Sequence, residues 1–200
     1  VAIHLTLIDG ESPARTTSPT TWNQNWPFRS TTRQLTVKRE TLELLGLYND
    51  FVVFDRRLVG NIIQRGGSIL HTSRSSRFLN KKYRMIAENN LRSHKADGLI
   101  IIGGEGSTKG AIALSKISKT KCVVVPATID KDMALVGSTI GFDTAINTAL
   151  TAIDKIRDTA TTANVTHIVE VMGRNCGWLG ILAGIGAGAE VTIIPEVKTN

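Results

Sequence analysis

Apolar residues in this chain fall into short β-branched runs separated by stretches of helical spacing. Leu99 to Ile102 and Cys122 to Val125 are unalternating, the pattern of strands buried on both faces of a parallel sheet. Between them Ala111, Ile112, Leu114 and Ile117 recur at helical spacing, so this segment predicts one strand–helix–strand unit. Leu79, Tyr83, Ile86, Ala87 and Leu91 predict a surface helix within residues 76–93, and Ile146, Ala149, Leu150, Ile153 and Ile156 a second amphipathic helix. Thr166 to Val171 and Val191 to Ile194 predict two more strands, with a small-residue-rich helix from Trp178 to Ala187 between them. The alternation predicts an α/β fold with a doubly wound, mostly parallel sheet.

The first third of the chain is less regular. Val1 to Ile8 predicts a strand closed by the turn Asp9-Gly10-Glu11-Ser12-Pro13. Residues 14–36, rich in Thr, Ser, Asn and Pro, lack either period and predict an irregular insertion. Lys38 to Leu45 predicts a short helix, and Phe51-Val52-Val53 extended chain.

Composition narrows the class. A hydrophobic fraction of 42% over 200 residues is globular, and the chain holds no apolar run long enough to span a bilayer and no signal pattern at its start. The expectation is a soluble protein without a membrane partner. Cys122 and Cys176 make neither a disulfide framework nor a zinc site, which predicts a reducing, cytoplasmic setting. Residues 1–100 hold 15 Lys+Arg against 8 Asp+Glu and residues 101–200 hold 9 against 9, so the net charge of +7 lies in the first half. These charges are dispersed, without long basic runs or interleaved aromatics, which argues against nucleic acid and for a solvated surface or a small phosphorylated ligand.

The candidate chemistry sits on turns. Gly103-Gly104-Glu105-Gly106-Ser107 lies between a strand and a helix, where backbone N–H groups can converge on an anion; a tight turn without ligand accounts for the glycines equally well. Glu105 is more telling, because a carboxylate there repels phosphate unless a cation such as Mg²⁺ lies between them. Thr128-Ile129-Asp130-Lys131-Asp132 places two carboxylates at i and i+2, which in an extended loop face opposite sides. One could accept a substrate proton while the other holds a metal or a neighbouring loop; as ordinary turn and cap residues they need no chemistry. Arg74 and Arg174 each belong to a glycine-containing loop and could clamp phosphates bidentately. Anion loop, acid, base and arginines on turns of one sheet together point to phosphoryl transfer.

These residues resemble the phosphofructokinase family. Gly103 to Ser107 resembles its G-G-D-G-S loop, Pro126 to Asp132 its P-x-T-I-D-N-D, Met172-Gly173-Arg174 with Gly177 its M-G-R-x-x-G, and Gly66 to Arg74 its G-G-S-x-L-G-T-S-R. The resemblance runs from about Tyr48 to Glu196 and includes Ile140 to Ala145. It implies an ATP-dependent 6-phosphofructokinase of glycolysis, moving the ATP γ-phosphate to the 1-hydroxyl of fructose 6-phosphate and leaving ADP. Asp130 would be the general base, with Thr128 and Asp132 beside the transferred phosphate. Gly10, Arg74, Gly104, Glu105, Gly106 and Ser107 would hold the nucleotide, Glu105 also meeting Mg²⁺. Met172, Gly173 and Arg174 would hold the sugar phosphate, Arg174 also counting among the catalytic residues with Asp130, Thr128 and Asp132. Small residues at Gly106 and Ala127 favour ATP over pyrophosphate, and a homo-oligomer, a tetramer by resemblance, is implied.

In domain terms the resemblance implies a nucleotide-binding α/β domain over residues 1–138, with 14–36 inserted, and the start of a sugar-phosphate-binding domain over 139–200. That second domain is only partly present, because the family's later sugar-binding residues lie beyond Glu196. Glu105 stands for the family's aspartate, Lys131 for an asparagine, and Val165 for an arginine; in the N-terminal glycine loop Asp9 and Ala14 stand for glycines and Glu11 for aspartate, and His71 also replaces a glycine. Lys131 would lower the pKa values of the two aspartates and pair with the base. These departures define the alternative, a fragment or catalytically impaired regulatory subunit that binds nucleotide without turnover. Lipid and dinucleotide kinases share the glycine loop, but Thr128 to Asp132 and Met172 to Arg174 favour the sugar kinase.

Overall fold

The computed structural model describes residues 34–37, 51–54, 57, 59–67, 69 and 75–198. The predicted strand Val1 to Ile8, its turn and the helix Lys38 to Leu45 lie outside the described residues. The chain divides into two compact units, 1–125 and 126–200.

In the first unit, strands β1 (Gln34–Val37) and β2 (Phe51–Phe54) pair antiparallel, with Gln34 opposite Phe54 and Val37 opposite Phe51. The extended chain predicted at Phe51 to Val53 is therefore a strand, but so are Gln34 to Thr36, read from composition as the end of the irregular insertion. A four-residue run at the end of an aperiodic polar stretch is too short to predict a strand alone; the partner strand settles it.

A 3₁₀ turn at Arg77–Leu79 leads into helix α1 (Lys81–Ser93), whose first turn is capped by the Asn80 side chain accepting from the Lys82 N–H at 2.9 Å. Strand β3 (Gly98–Gly103), helix α2 (Glu105–Ser115) and strand β4 (Lys121–Pro126) follow, and β3 and β4 are parallel neighbours. The predicted unit is thus present, extended by a residue or more at each end. Leu91 from α1, Leu99 and Ile101 from β3, and Ala111 and Leu114 from α2 form its core, with Phe78, Ala96, Ile117, Cys122 and Val124 packed around it. Each fully buried Leu or Ile contributes about 1.5–3 kcal/mol of transfer free energy.

Burial on both faces is not what the described residues show. In β3 the buried positions Leu99, Ile101 and Gly103 alternate with half-buried ones, and in β4 Val123 is 60% exposed. The core residues of α1 and α2 gather at Leu99 and Ile101, so burial is one-sided.

The second unit is built on helices α3 (Phe142–Ala163) and α4 (Trp178–Ala187), which pack together. Gly186 lets them approach: a Cβ there would stand 2.8 Å from Leu150 Cδ2. Arg157 of α3 donates from Nη1 to the Ala187 carbonyl at 2.6 Å, satisfying an end group of α4.

The two strands predicted in this unit do not form. Residues 165–171 and 191–194 belong to no ladder among the described residues, and Ile168 is 97% exposed. A β-branched run becomes a strand only when a neighbour accepts its backbone hydrogen bonds. Residues 191–194 instead run along α4, with Thr192 against Gly184 and Ile194 against Gly177, while Val191 and Ile193 face solvent. The small residues of α4 are thus the groove in which this segment lies.

Candidate functional site

The glycine loop follows directly from the end of β3. Gly104 is the N-cap of α2, with extended backbone at φ −93° and ψ −156° and no side-chain cap, so the first-turn N–H groups are the acceptor-seeking feature of the loop. Ser107 is buried at 1% exposure, Gly104 is half-buried, and Glu105 and Gly106 are exposed. Glu105 Oε1 accepts from Lys109 Nζ at 2.7 Å, one turn on. Exposed i,i+4 pairs are worth about 0.3–0.5 kcal/mol, so this contact yields readily to a competing cation.

Among the described residues no group of three or more His, Cys, Asp or Glu side chains could enclose a metal. Mg²⁺ is commonly held by one or two carboxylates together with substrate phosphates, and one weakly engaged carboxylate at a helix N-terminus fits that mode.

The carboxylate loop opens at the end of β4 and is closed at its neck. The Ile140 N–H donates to the Pro126 carbonyl at 2.9 Å, Ala127 bridges Ile140 in parallel, and the buried Thr139 donates from Oγ1 to the Thr128 carbonyl at 2.7 Å. Within the loop, the Asp130 N–H donates to Thr128 Oγ1 at 3.2 Å, so the threonine shapes the turn that presents the carboxylate. Asp130 is half-buried and Asp132 exposed.

Two expectations about this loop are corrected. It is not extended through its centre: Lys131 has φ +54°, and a left-handed residue between the aspartates removes the alternation that would send them to opposite sides. Nor does Lys131 pair with the acids. Its ammonium lies 5.2 Å from the Phe142 ring centroid and 5.1 Å from that of Trp178, and among the described residues no ion pair joins it to either aspartate.

In the third loop, Gly173 has φ +137° and the Cys176 N–H donates to its carbonyl at 3.2 Å. A Cβ on Gly173 would stand 2.5 Å from the Cys176 carbonyl oxygen, so this turn requires glycine for both conformation and space. Met172 and Arg174 are exposed, leaving the guanidinium available to an anion. The loop ends at Gly177, whose N–H donates to Glu196 Oε1 at 2.7 Å.

The structure therefore joins Thr128 to Asp130 in one turn and Met172, Gly173 and Arg174 in another, and no ion pair among the described residues links Arg174 to either aspartate. Gly10 and Arg74 lie outside the described residues, as do Asp9, Glu11, Ala14 and His71. Sequence reasoning missed Lys109, Thr139, Phe142, Trp178 and Glu196 as neighbours of these loops. The i,i+4 spacing of Glu105 and Lys109 was a signal for the first; the others depend on packing.

Comparison with known proteins gives the family of the chain. Residues 35–200 match the Phosphofructokinase family model, and the chain belongs to the phosphofructokinase family. An ATP-dependent 6-phosphofructokinase of Persephonella marina is 51% identical over 146 residues, which are 73% of this chain and 45% of that relative. One from Caldanaerobacter subterraneus subsp. tengcongensis is 47% identical over 76% of this chain and 48% of its own length. The chain spans about half the length of these curated relatives. Among solved structures, phosphofructokinase from Saccharomyces cerevisiae superposes with a TM-score of 0.67 at 30% identity, covering 78% of this chain and 24% of that one. The pyrophosphate-dependent phosphofructokinase of Marinobacter aquaeolei, at 23% identity and a TM-score of 0.57 over 67% of this chain and 36% of its own, shares the fold.

Proposed function

We propose that this protein transfers the γ-phosphate of ATP to the 1-hydroxyl of fructose 6-phosphate, giving fructose 1,6-bisphosphate and ADP. The observation that carries the reading is the carboxylate loop: Asp130 is held in a turn by Thr128 Oγ1, and the neck of that loop is fixed by Thr139 and Ile140. A half-buried carboxylate in a fixed turn suits the acceptance of a proton from an attacking hydroxyl. Relatives at about half identity named ATP-dependent 6-phosphofructokinase support the choice of donor and acceptor.

In this reading Asp130 takes the hydroxyl proton as the oxygen attacks phosphorus, while Thr128 and Asp132 stand beside the transferred group. Arg174, aided by the turn at Met172 and Gly173, binds the phosphate of the sugar. The first-turn N–H groups of α2, with Gly104, Gly106, Ser107, Gly10 and Arg74, bind the nucleotide phosphates. Glu105 would hold Mg²⁺, which when bound neutralises charge on the phosphates. The protein acts in the cytoplasm as a homo-oligomer, a tetramer, without nucleic-acid or membrane partners.

The test is formation of fructose 1,6-bisphosphate from fructose 6-phosphate with ATP and Mg²⁺, run beside Asp130→Asn and with pyrophosphate as the alternative donor. Product with ATP, lost by about 10²-fold or more in the variant, is expected for removal of a general base. Absence of product from folded protein with either donor would overturn the reading. Nucleotide binding without turnover would then support the regulatory alternative.

A further inference from the structure

We propose that Lys131 is a positioning residue, a cationic latch that fastens the turn between Asp130 and Asp132 to the first residues of α3 and α4. Its ammonium stands 5.2 Å from the centroid of Phe142, the first residue of α3, and 5.1 Å from that of Trp178, the first residue of α4. Both distances are within the range at which a cation is attracted to a ring face.

The electrostatics of the place make the rings decisive. The N-termini of α3 and α4 carry partial positive charge, so their dipoles repel an ammonium placed there. Asp143 in the first turn of α3 and Glu196 at the start of α4 weaken that repulsion, and among the described residues no carboxylate is ion-paired with Lys131. Among the described residues, the two ring faces are the groups that favour the position. Phe142 is 5% exposed, and Trp178, 47% exposed, begins a helix whose N-cap N–H is tied to Glu196. The buried Phe142 ring is the fixed part of the anchor, and the long Lys131 stem carries its restraint back to the backbone.

What it restrains is an unusual conformation. Lys131 has φ +54°, a region that residues bearing a Cβ enter at a cost and that persists where the surroundings hold it. A release of this residue to negative φ would redirect the chain on both sides, and Asp130 and Asp132 are its immediate neighbours. The neck contacts of Thr128 and Thr139 fix where the loop leaves and returns; the Lys131 latch fixes its turn. The catalytic meaning of that turn rests on the proposed function, whereas the latch itself does not.

The experiment compares the parent protein with Lys131→Met, which keeps an unbranched apolar stem without charge, and Lys131→Arg, which restores a cation able to stack on the rings. Amide hydrogen exchange by mass spectrometry over residues 128–138 is expected to rise about fivefold to thirtyfold in K131M, the factor that losing two ring contacts of ordinary strength would produce, and to return in K131R. Exchange through α3 serves as the folding control and is expected to stay unchanged. Equal exchange over 128–138 in all three proteins overturns the latch.

Where the parent turns over, kcat of K131M is expected to fall about tenfold or more with little change in KM for ATP, and K131R to recover it. An active parent whose K131M variant keeps its kcat overturns the positioning role. A parent without turnover overturns the proposed reaction instead, and the exchange comparison then decides the latch alone.

Discussion

Glu196 reaches back 19 positions to accept the Gly177 backbone N–H at 2.7 Å, closing the N-terminus of α4 with a carboxylate supplied from beyond the helix's other end. Gly177 itself admits no side chain, because a Cβ there would lie 2.6 Å from Ile194 Cβ and 2.7 Å from Glu196 Oε2. A carboxylate at this end also favours the helix dipole. The start of α4, the loop carrying Arg174 and the segment 191–196 are thereby one assembly.

Removing that cap is expected to cost about 1–2 kcal/mol, the usual range for losing a capping acceptor together with its charge. Glu196→Ala should lower the midpoint of urea unfolding accordingly, and Glu196→Gln, which retains an acceptor oxygen, should lose less. Equal midpoints for E196A and the parent would mean that the contact adds nothing to stability.

Gly173 offers a second stability test, with an internal control. At φ +137° and with the Cys176 oxygen 2.5 Å from a hypothetical Cβ, Gly173→Ala is expected to destabilise by about 1–3 kcal/mol. Gly137 has nothing within 4 Å and no positive φ, so Gly137→Ala should stay within about 0.5 kcal/mol of the parent. Thermal melting of the two variants side by side reads the difference, and a G173A protein as stable as G137A would contradict the requirement for glycine.

Cys122 supplies a pH dependence. Burial, and secondarily the Glu88 carboxylate, push its thiol pKa above the usual 9.0. The folded protein therefore holds the thiol proton more tightly than the unfolded chain does. Below the unfolded value both states are protonated and stability is unaffected. As pH rises past it the unfolded state ionises first, and stability falls until the folded pKa is passed. The melting temperature of the parent should accordingly drop more steeply above about pH 9 than that of Cys122→Ala, with the two slopes equal at neutral pH. Parallel profiles over the whole range would exclude Cys122 as the source.

Much of the fold was legible because its signals are local. Leu99 to Ile102, Cys122 to Val125 and the three long helices follow from periodicity, and the observed elements contain each predicted run apart from Ile117 and the capping turn before α1. The glycine loop at the start of α2 was legible for the same reason: a strand run, then glycines, then helical spacing. Thr166 to Val171 and Val191 to Ile194 were misread because β-branched composition reports a preference for a pleated, partly buried surface, while a strand needs a partner that composition cannot supply. Gln34 to Thr36 failed in the opposite direction, as the end of a polar, aperiodic stretch drawn into a strand by Phe51–Phe54.

Local pattern is enough to say which residues stand at the ends of β3 and β4 and between α3 and α4, because strand and helix periods are properties of a few consecutive side chains. It determined the family too, since Gly103 to Ser107, Thr128 to Asp132 and Met172 to Arg174 occur in order and each is compact. What those residues touch is set by packing. Lys131 reads in sequence as a cation between two acids; packing places its ammonium over Phe142 and Trp178, 11 and 47 positions further on. Thr139 and Glu196 acquire their roles in the same way, through hydrogen bonds to Thr128 and Gly177 that close over distance. Local pattern sets conformation within a turn or two, whereas contacts between remote residues exist only once the elements have packed.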